Sequence, residues 1–586
     1  MLRTHTCGEL NKEQIGAGVE LSGWVDRWRD HGGVIFIDLR DRWGVTQVVF
    51  NPETDSELHA AASKLRSEFV INVKGAVQAR PEGTINEKLP TGHIEVMVSE
   101  LTVLNKSETP PIDVAGDSFI SEDLRLRYRY LDLRRKSMYR NLQLRYKISK
   151  VVRDYLDHQK FIEVETPYLT KSTPEGARDY LVPCRMSKGT FYALPQSPQL
   201  FKQILMVSGY DRYFQLVRCF RDEDLRADRQ PEHTQIDIEM SFIDEEDIFA
   251  LIEGMLDRVF KDALGVENVQ FPLNRITYND AMNLYGSDKP DLRFEMQISD
   301  ATDLFKGSDF KVFSSVIGSG GAIKGIKAPG MSGASRKDMD DLTQFVQTYG
   351  AKGLAWLKVT PEGIESPIAK FFSDETLQKV KELFSAEEGD LIMFVASDWY
   401  TTCVSLGALR CHIAKKLEMI KEGVYALCWV VDFPLLDYNP EEKRYQAMHH
   451  PFTSPRPEDR DLLASDPGKV RARAYDLVLN GTEIGGGSIR IHEEDVQSKM
   501  FEVLNIGKEE AQEKFGFLLG ALSFGAPPHG GIALGLDRLV AMLIGLESIR
   551  DVIAFPKTQK GTCPLTDAPS EVDTKQLREL YLKVRE

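Results

Sequence analysis

Hydrophobic and polar positions alternate along five short stretches between residues 19 and 105: VELSGWV, GVIFIDLR, VTQVVF, FVINVKGAVQAR and HIEVMVSELTVL. Alternation with period two, broken by glycine and charged turns, predicts strands, and their spacing suits a small all-β barrel. In GVIFIDLR, Ile35, Ile37 and Leu39 share one face and Phe36 points to the other. After the DRWG turn, Gln47 falls on the face opposite Thr46, Val48 and Phe50.

From Tyr139 the period changes. In RNLQLRYKISKVVRDYLDHQKF, Leu142, Leu144, Ile148, Val151, Val152 and Tyr155 recur at helical spacing. FIEVETPYLT follows as a strand that stops at Pro167, which cannot continue a ladder and restricts the residue before it. Next come strands around residues 191–194, a helix over SPQLFKQILMVSG, and a long hairpin. The hairpin pairs RYFQLVRCFRDE with TQIDIEMSFI around a polar tip, DLRADRQPEH. Residues 287–420 break this pattern, Gly- and Ser-rich at 315–336 and then independently helical and strand-like. They read as an inserted domain, and the earlier pattern resumes at LCWVVDFPLL.

Five strands of this spacing match an OB-fold, a common binder of single-stranded nucleic acid. Phe36 beside Gln47 suits base stacking with edge reading. The plainer reading makes Phe36 part of a second core face. Arg27, Trp28, Arg29 and His31, expected in the preceding loop, add charge and another ring.

At 586 residues, three or four domains are expected. The start, MLRTHTCGELNKEQ, is polar and reads as no signal peptide. The apolar run ALCWVVDFPLL (426–436) is short and broken by Asp432, so no membrane partner is expected. Seven cysteines without a C-x-x-C pair argue against a zinc site or a disulfide framework and fit a reducing cytoplasm. A net charge of −16 counts against nucleic acid, but charge acts locally. Residues 125–153 are strongly basic with a single acid, Asp132. That run reads equally well as a solvated helix start or as a phosphate-backbone surface with interleaved tyrosines.

Two further segments carry phosphate chemistry: RCFRDED (218–224) and GLDR (535–538). Each sets an arginine, always charged and able to bind phosphate bidentately, in or beside acids. There is no G-x-x-x-x-G-K-[ST] loop, and GSGG (318–321) lacks the lysine spacing.

These residues resemble the class II aminoacyl-tRNA synthetases, in their bacterial aspartyl branch. FIEVETP (161–167) resembles motif 1, whose proline lies at a dimer interface. FRDEDLRADRQPEHTQIDIE (220–239) resembles motif 2, and GIALGLDRLV (531–540) motif 3. Stretches of the aspartyl type lie between them: TPEGARDY (173–180), PQSPQLFKQ (195–203), MHHPFT (448–453) and GGGSIR (485–490). The resemblance covers essentially the whole chain. It implies a multidomain α+β protein with an antiparallel-sheet catalytic domain. An OB-fold anticodon-binding domain would take residues 1–106, a hinge 107–137, the catalytic domain 138–286 and 421–556, a GAD insertion 287–420, and a C-terminal extension 557–586. A cytoplasmic homodimer built on motif 1 is implied as well.

The implied reaction joins L-aspartate to ATP, giving aspartyl-adenylate and pyrophosphate, and then passes the aspartyl group to the 3′-end of tRNA. By resemblance, Arg221 contacts the α-phosphate and the substrate carboxylate, with Asp222 beside it. Glu223 holds the adenine amino edge, and Gln230 makes a further ATP contact. Gly535, Leu536, Asp537 and Arg538 form the other wall, with Arg538 over the adenine face near the γ-phosphate. Phenylalanine is common opposite that arginine, and here the residue is His233, expected to be neutral. Asp476 and Glu483 would hold Mg²⁺ on the phosphates. Lys202 and Arg490 would clamp the substrate's side-chain carboxylate, with Asp237 orienting Lys202. Two cations facing a neutral amide would lose their counter-charge, so asparagine should be rejected. Glu175, Gln199 and His449 match groups around the substrate ammonium and carboxylate.

Phe36 and Gln47 would stack on and read anticodon bases, with Arg29 nearby. Strictly tRNA-Asp-specific relatives tend to carry leucine at the position of His31 and lysine at that of Gly83. The chain departs from that pattern at both, which predicts charging of tRNA-Asp and tRNA-Asn, the second product requiring later amidation by a partner amidotransferase. A strictly discriminating tRNA-Asp enzyme is the alternative. An asparagine or lysine ligase of the same layout is disfavoured by Lys202 with Arg490 and by the long insertion. A non-catalytic RNA-binding paralogue would lack Arg221, Arg538 or the metal acids. A purely structural protein explains none of the spacings.

Overall fold

The computed structural model describes residues 2–116, 118–173, 177–224 and 227–585. They form two compact units. The first comprises Met1–Tyr146, Asp224–Gln230 and Leu546–Leu577, and the second Lys147–Glu223, Pro231–Gly545 and Arg578–Glu586.

In the first unit, strands β1 (Gly18–His31), β2 (Val34–Arg40), β3 (Val45–Phe50), β4 (Val70–Ala79) and β5 (Ile94–Asn105) close into a barrel of order β1-β2-β3-β5-β4. Alternate residues, among them Leu21, Ile35, Ile37, Leu39, Val48, Ile71, Val73 and Val96, fill its core. Each such side chain stabilises the fold by about 1.5–3 kcal/mol when taken from water. Phe36 is half-buried and is not part of that core. Two features differ from expectation. Residues 27–31 continue β1 rather than forming a loop, because pairing with β2 runs on to His31↔Val34. A short helix, Ser56–Ala62, begins where the Asp55 carboxylate accepts from the amides of Glu57 and Leu58.

The start of the basic run turns inward, which neither sequence reading anticipated, while Arg127, Lys136, Arg140, Lys147, Lys150 and Arg153 are exposed. Arg129 is buried, donating to Asp132 Oδ2 (2.6 Å) and to the carbonyls of Arg550 (2.8 Å), Ile553 (2.9 Å) and Ala554 (2.9 Å). Arg125 donates to Asp132 Oδ1 (3.0 Å) and Asp551 Oδ1 (2.7 Å). The lone acid of the run is therefore the buried hub of an ion-pair network.

The second unit begins with β6 (Ile162–Glu163), a hairpin of β7 (Leu181–Pro183) and β8 (Phe191–Ala193), and the long pair β9 (Arg212–Phe220) and β10 (Glu232–Ser241), followed by β11 (Asn274–Thr277). The insertion carries β12 (Ser299–Asp300), β13 (Ala322–Ala328), β14 (Ala355–Thr360), β15 (Gly363–Glu365) and β16 (Leu391–Ser397). After it come β17 (Leu427–Val431), β18 (Leu436–Asn439), β19 (Arg444–Ala447), β20 (Ala474–Leu479), β21 (Thr482–Ile489) and β22 (His529–Gly535).

The main sheet has the order β11-β17-β20-β21-β22-β10-β9-β6. It is antiparallel except at its edges, where β11 pairs with β17 and β6 with β9 in parallel. The strand expected up to Pro167 is only two residues long. Val164 N still donates to Phe214 O at 3.2 Å, and the ladder ends there. The insertion builds a separate sheet, β12-β13-β16-β14-β15, with apolar side chains on both faces. Among the described residues, no helix is long and apolar enough to cross a membrane.

Candidate active site

Strand β10 presents Asp237 and Glu239 on one face, two residues apart. Lys202, from helix Gln199–Val207, donates to Asp237 Oδ1 at 2.9 Å and stands 3.3 Å from Glu239 Oε2. Arg490, just past β21, binds Glu239 side-on, Nε to Oε1 at 2.9 Å and Nη2 to Oε2 at 3.1 Å. Its Nη1 donates to Ser488 Oγ and lies against His450 Nε2, both at 2.7 Å. All four charged groups are buried. Burial, and next Arg490, keep the His450 imidazole neutral, its pKa well below the usual value.

Asp237 meets Lys202 as expected, and Glu239 is an additional acid that faces both cations, so the quartet is formally neutral. Burial alone would raise the Glu239 carboxyl, but Arg490 and then Lys202 hold it below its ordinary range. Burial wins at Asp237, whose carboxyl is raised despite Lys202. Gly531 makes the quartet possible, since a Cβ there would stand 2.0 Å from Glu239 Oε2 and 2.1 Å from Ile238 O.

Three buried polar atoms of the expected aspartate-binding residues have no partner: Asp237 Oδ2 in the quartet, Gln199 Nε2 on the helix of Lys202, and Arg221 Nε just past β9. An orphaned acceptor and two orphaned donors are costly unless a ligand meets them. They match an ammonium and a carboxylate respectively.

Asp476 on β20 and Glu483 on β21 come together across Gly486. A Cβ at Gly486 would lie 2.5 Å from Asp476 Oδ1 and 3.6 Å from Glu483 Oε1. Burial first, and Asp476 next, raise the Glu483 carboxyl. Two like charges held together in a partly dry place call for a cation. No group of three or more potential metal-ligating side chains occurs among the described residues, so this pair offers two carboxylates and leaves the other positions to water or phosphate. That donor set fits Mg²⁺. His449 Nε2 lies 3.8 Å from Asp476 Oδ1, and its ring meets Phe433 edge-on.

Arg538 occupies the first turn of helix Leu536–Leu543, and its Nη1 donates to Glu483 O at 2.9 Å. Arg221 follows β9, its amide donating to Pro231 O at 2.9 Å. His233 on β10 is half-buried, with its pKa lowered to about 4 by burial and then by Arg221. Both effects favour the neutral ring, the form expected for it in the ATP complex. Asp222 N donates to Arg178 O at 3.1 Å, an isolated bridge that anchors the start of the motif 2 loop. Glu223 closes that segment, half-buried.

Four further residues of the expected ATP site make contacts of their own within the protein or lie beside those that do. Asp537 is buried and accepts from Thr234 N at 2.7 Å, which ties the helix to β10. Leu536 is buried, and a Cβ at Gly535 would meet only Arg538 Cβ, at 3.7 Å. Gln230 belongs to the first unit, where its amide accepts from Lys557 N (2.7 Å) and donates to Lys557 O (3.0 Å). Glu175 lies outside the described residues.

In the barrel, a polar row crosses β1, β2, β3 and β5. Arg29 donates to Asp38 Oδ1 (2.6 Å) and Gln47 Oε1 (3.4 Å), and Gln47 donates to Glu95 Oε2 at 2.8 Å. Phe36 pairs with Arg29 across the strands, on that same face. Glu95 was not singled out from the sequence. Burial raises its carboxyl, with Gln47 and Arg80 opposing. His31 is exposed at the β1–β2 tip, and Gly83 is left-handed (φ 86°) in the β4–β5 loop.

The family model for class II tRNA synthetases (D, K and N) matches residues 121–559, and that for the OB-fold nucleic acid binding domain matches 19–104. A protein of Desulfatibacillum aliphaticivorans named aspartate–tRNA(Asp/Asn) ligase is 59% identical over 586 residues, covering 100% of this chain and 98% of its own. One of Bacillus cereus with the same name is 57% identical over 583 residues, covering 99% and 98%. Among solved structures, asparaginyl-tRNA synthetase of Pyrococcus horikoshii with asparaginyl-adenylate superposes with TM-score 0.60 at 19% identity, covering 95% of this chain and 99% of that one. Aspartyl-tRNA synthetase of Entamoeba histolytica gives 0.56 at 19% identity, covering 94% of this chain and 90% of that one. At such identities the likeness is one of fold.

Proposed function

This chain belongs to the class II tRNA synthetases (D, K and N), and from that premise we infer that it ligates L-aspartate to tRNA-Asp and tRNA-Asn with ATP. The observation that carries the choice of amino acid is the Lys202–Asp237–Glu239–Arg490 quartet, with orphaned polar atoms on Asp237 itself and on Gln199 of the Lys202 helix. Arg490 has five N–H groups and the lysine ammonium three. Glu239 and Ser488 take three from Arg490, and Asp237 and Glu239 face two of Lys202. At least one N–H remains on each cation. A side-chain carboxylate accepts from both with its two oxygens. Asparagine would set its own N–H₂ against one of them. Asp237 Oδ2 would receive the substrate ammonium, and Gln199 and Arg221 its α-carboxylate.

In the first step a carboxylate oxygen attacks the α-phosphorus. The geometry asks for positioning and charge neutralisation rather than for an acid or base. Arg221 neutralises the α-phosphate. His233 stacks on adenine as a neutral ring opposite Arg538. Asp476 and Glu483 would hold Mg²⁺, which when bound neutralises phosphate charge. In the second step the ribose hydroxyl at the tRNA 3′-end takes the aspartyl group.

The barrel reads the anticodon through Phe36 and the Arg29–Gln47–Glu95 row. Lysine at position 83 would be strained in the left-handed geometry that Gly83 adopts, so the loop is built differently from one that carries lysine. With an exposed His31, this supports acceptance of both tRNAs. Aspartate on tRNA-Asn is then a substrate for a tRNA-dependent amidotransferase. Exposed apolar residues on motif 1, just after it and on the β7–β8 hairpin, Ile162, Tyr168, Leu169, Leu181 and Phe191, support a homodimer. Seven free thiols suit the cytoplasm. Aspartate, but not asparagine or lysine, should support ATP–pyrophosphate exchange. Exchange without any amino acid would contradict the reading.

A further inference from the structure

The segment GSDKPDLRF (286–294) enters the insertion beside the turn joining β20 to β21, and it is firmly held. The buried Arg410 guanidinium donates to the carbonyls of Asp291 (2.8 Å), Phe294 (3.0 Å) and Met296 (3.0 Å), and lies 4.0 Å from the centre of the Phe294 ring. Asp291 accepts from Arg293 Nε (3.0 Å) and Nη2 (2.6 Å). It also packs on Gly481 of the β20–β21 turn, where a Cβ would stand 3.0 Å from Asp291 Cβ. A segment fixed in this way presents its remaining side chains at set places.

Lys289 is the cation it presents. Its amide donates to Ser287 Oγ at 3.0 Å and its Nζ to Asp288 Oδ2 at 2.9 Å. Burial opposes the charge on the ammonium, but Asp288, then Glu483 and Asp476, more than offset it. Lys289 is thus held two residues before Asp291, which packs on the turn leading to Glu483, and its ammonium keeps N–H groups beyond the one given to Asp288. The acids themselves are oriented by other means: Arg538 reaches the Glu483 carbonyl, and Gly486 lets the carboxylates meet.

We propose that Lys289 binds the β- and γ-phosphates of ATP and the pyrophosphate that leaves, so that the insertion contributes a phosphate-binding residue to the active site. This rests on the aspartate-activation reading above. In that step an oxygen of the aspartate carboxylate bonds to the α-phosphorus. The bond from the α-phosphorus to the oxygen bridging to the β-phosphate breaks, and its electron pair departs with pyrophosphate. No proton needs to move. Negative charge grows on the leaving group, on the side of the metal acids, where a compact ammonium on a long stem can follow it. The competing view makes Lys289 only a counter-ion for Asp476 and Glu483.

Full-length K289M and K289R, compared with the wild type, separate the two. The readouts are aspartate-dependent ATP–pyrophosphate exchange, pyrophosphorolysis of preformed aspartyl-adenylate, and transfer from preformed adenylate to tRNA. K289M should raise KM for pyrophosphate and for ATP about tenfold or more, the size of one charge-assisted hydrogen bond. Its KM for aspartate and its transfer rate should stay within about twofold, well under that size. K289R should recover most of the pyrophosphate affinity. An unchanged KM for pyrophosphate in K289M, or an equal rise in KM for aspartate, would overturn the proposal alone. A wild type without aspartate-dependent exchange would overturn the parent reading and the proposal together.

Discussion

Arg490 and Glu239 meet side-on inside the main sheet, two parallel N–H···O bonds joining a guanidinium to a carboxylate. Both are buried, so neither charge has water to fall back on. Removing one partner strands the other, which costs about 3–5 kcal/mol. Glu239→Gln should lower the unfolding free energy by that amount in urea titrations. A loss under about 1 kcal/mol, the range of exposed pairs, would mean the pair is solvated.

Lys202→Met removes one of the two N–H groups proposed for the substrate carboxylate. One hydrogen bond to a charged group is worth about 1.5–3 kcal/mol, so KM for aspartate should rise about 10- to 150-fold. KM for ATP should move far less. Asparagine should gain nothing, because Arg490 still opposes its amide. Steady-state exchange kinetics with both amino acids check this.

His233 gives a pH signature. Its folded value of about 4 lies below the unfolded value of about 6.5. The unfolded chain therefore binds the proton first. The stabilisation is full above pH 6.5 and is lost as the pH falls toward 4, about 2 kcal/mol of it between pH 7 and pH 5. His233→Phe, which restores the ring more common at that place, should shrink the stability difference between those two pH values by about that amount. Urea midpoints at both pH values decide it, and an unchanged difference would show that His233 titrates normally.

What could be read from the chain follows from range. The barrel strands were legible because a single core imposes strict alternation, as in Ile35, Ile37 and Leu39. The extension of β1 to His31 was not, because DRWRDH packs no core face. Lys202, Asp237 and Arg490 were legible through resemblance, while Glu239 was overlooked although strand period places it on the face of Asp237. The partners of Arg129 could not be foreseen, since Arg550 lies 421 residues further along the chain. The same holds for Gln230 and Lys557, 327 residues apart. Short motifs name side chains, but burial decides which of them keep a hand free for a ligand.

Phe36→Ala should weaken tRNA recognition without touching amino-acid activation. Loss of one base stacked on an aromatic ring costs about 1–3 kcal/mol, so KM for tRNA should rise about 5- to 150-fold. Aspartate-dependent exchange should stay at the wild-type rate. Equal losses in both assays would show that Phe36 serves the fold of the barrel rather than the anticodon.

The most direct test is aminoacylation of purified tRNA-Asp and tRNA-Asn, each offered aspartate and asparagine in turn. The account predicts aspartate on both tRNAs and asparagine on neither. Aspartate absent from tRNA-Asn above background would contradict the dual specificity, and asparagine on either tRNA would contradict the quartet as the selector of the amino acid.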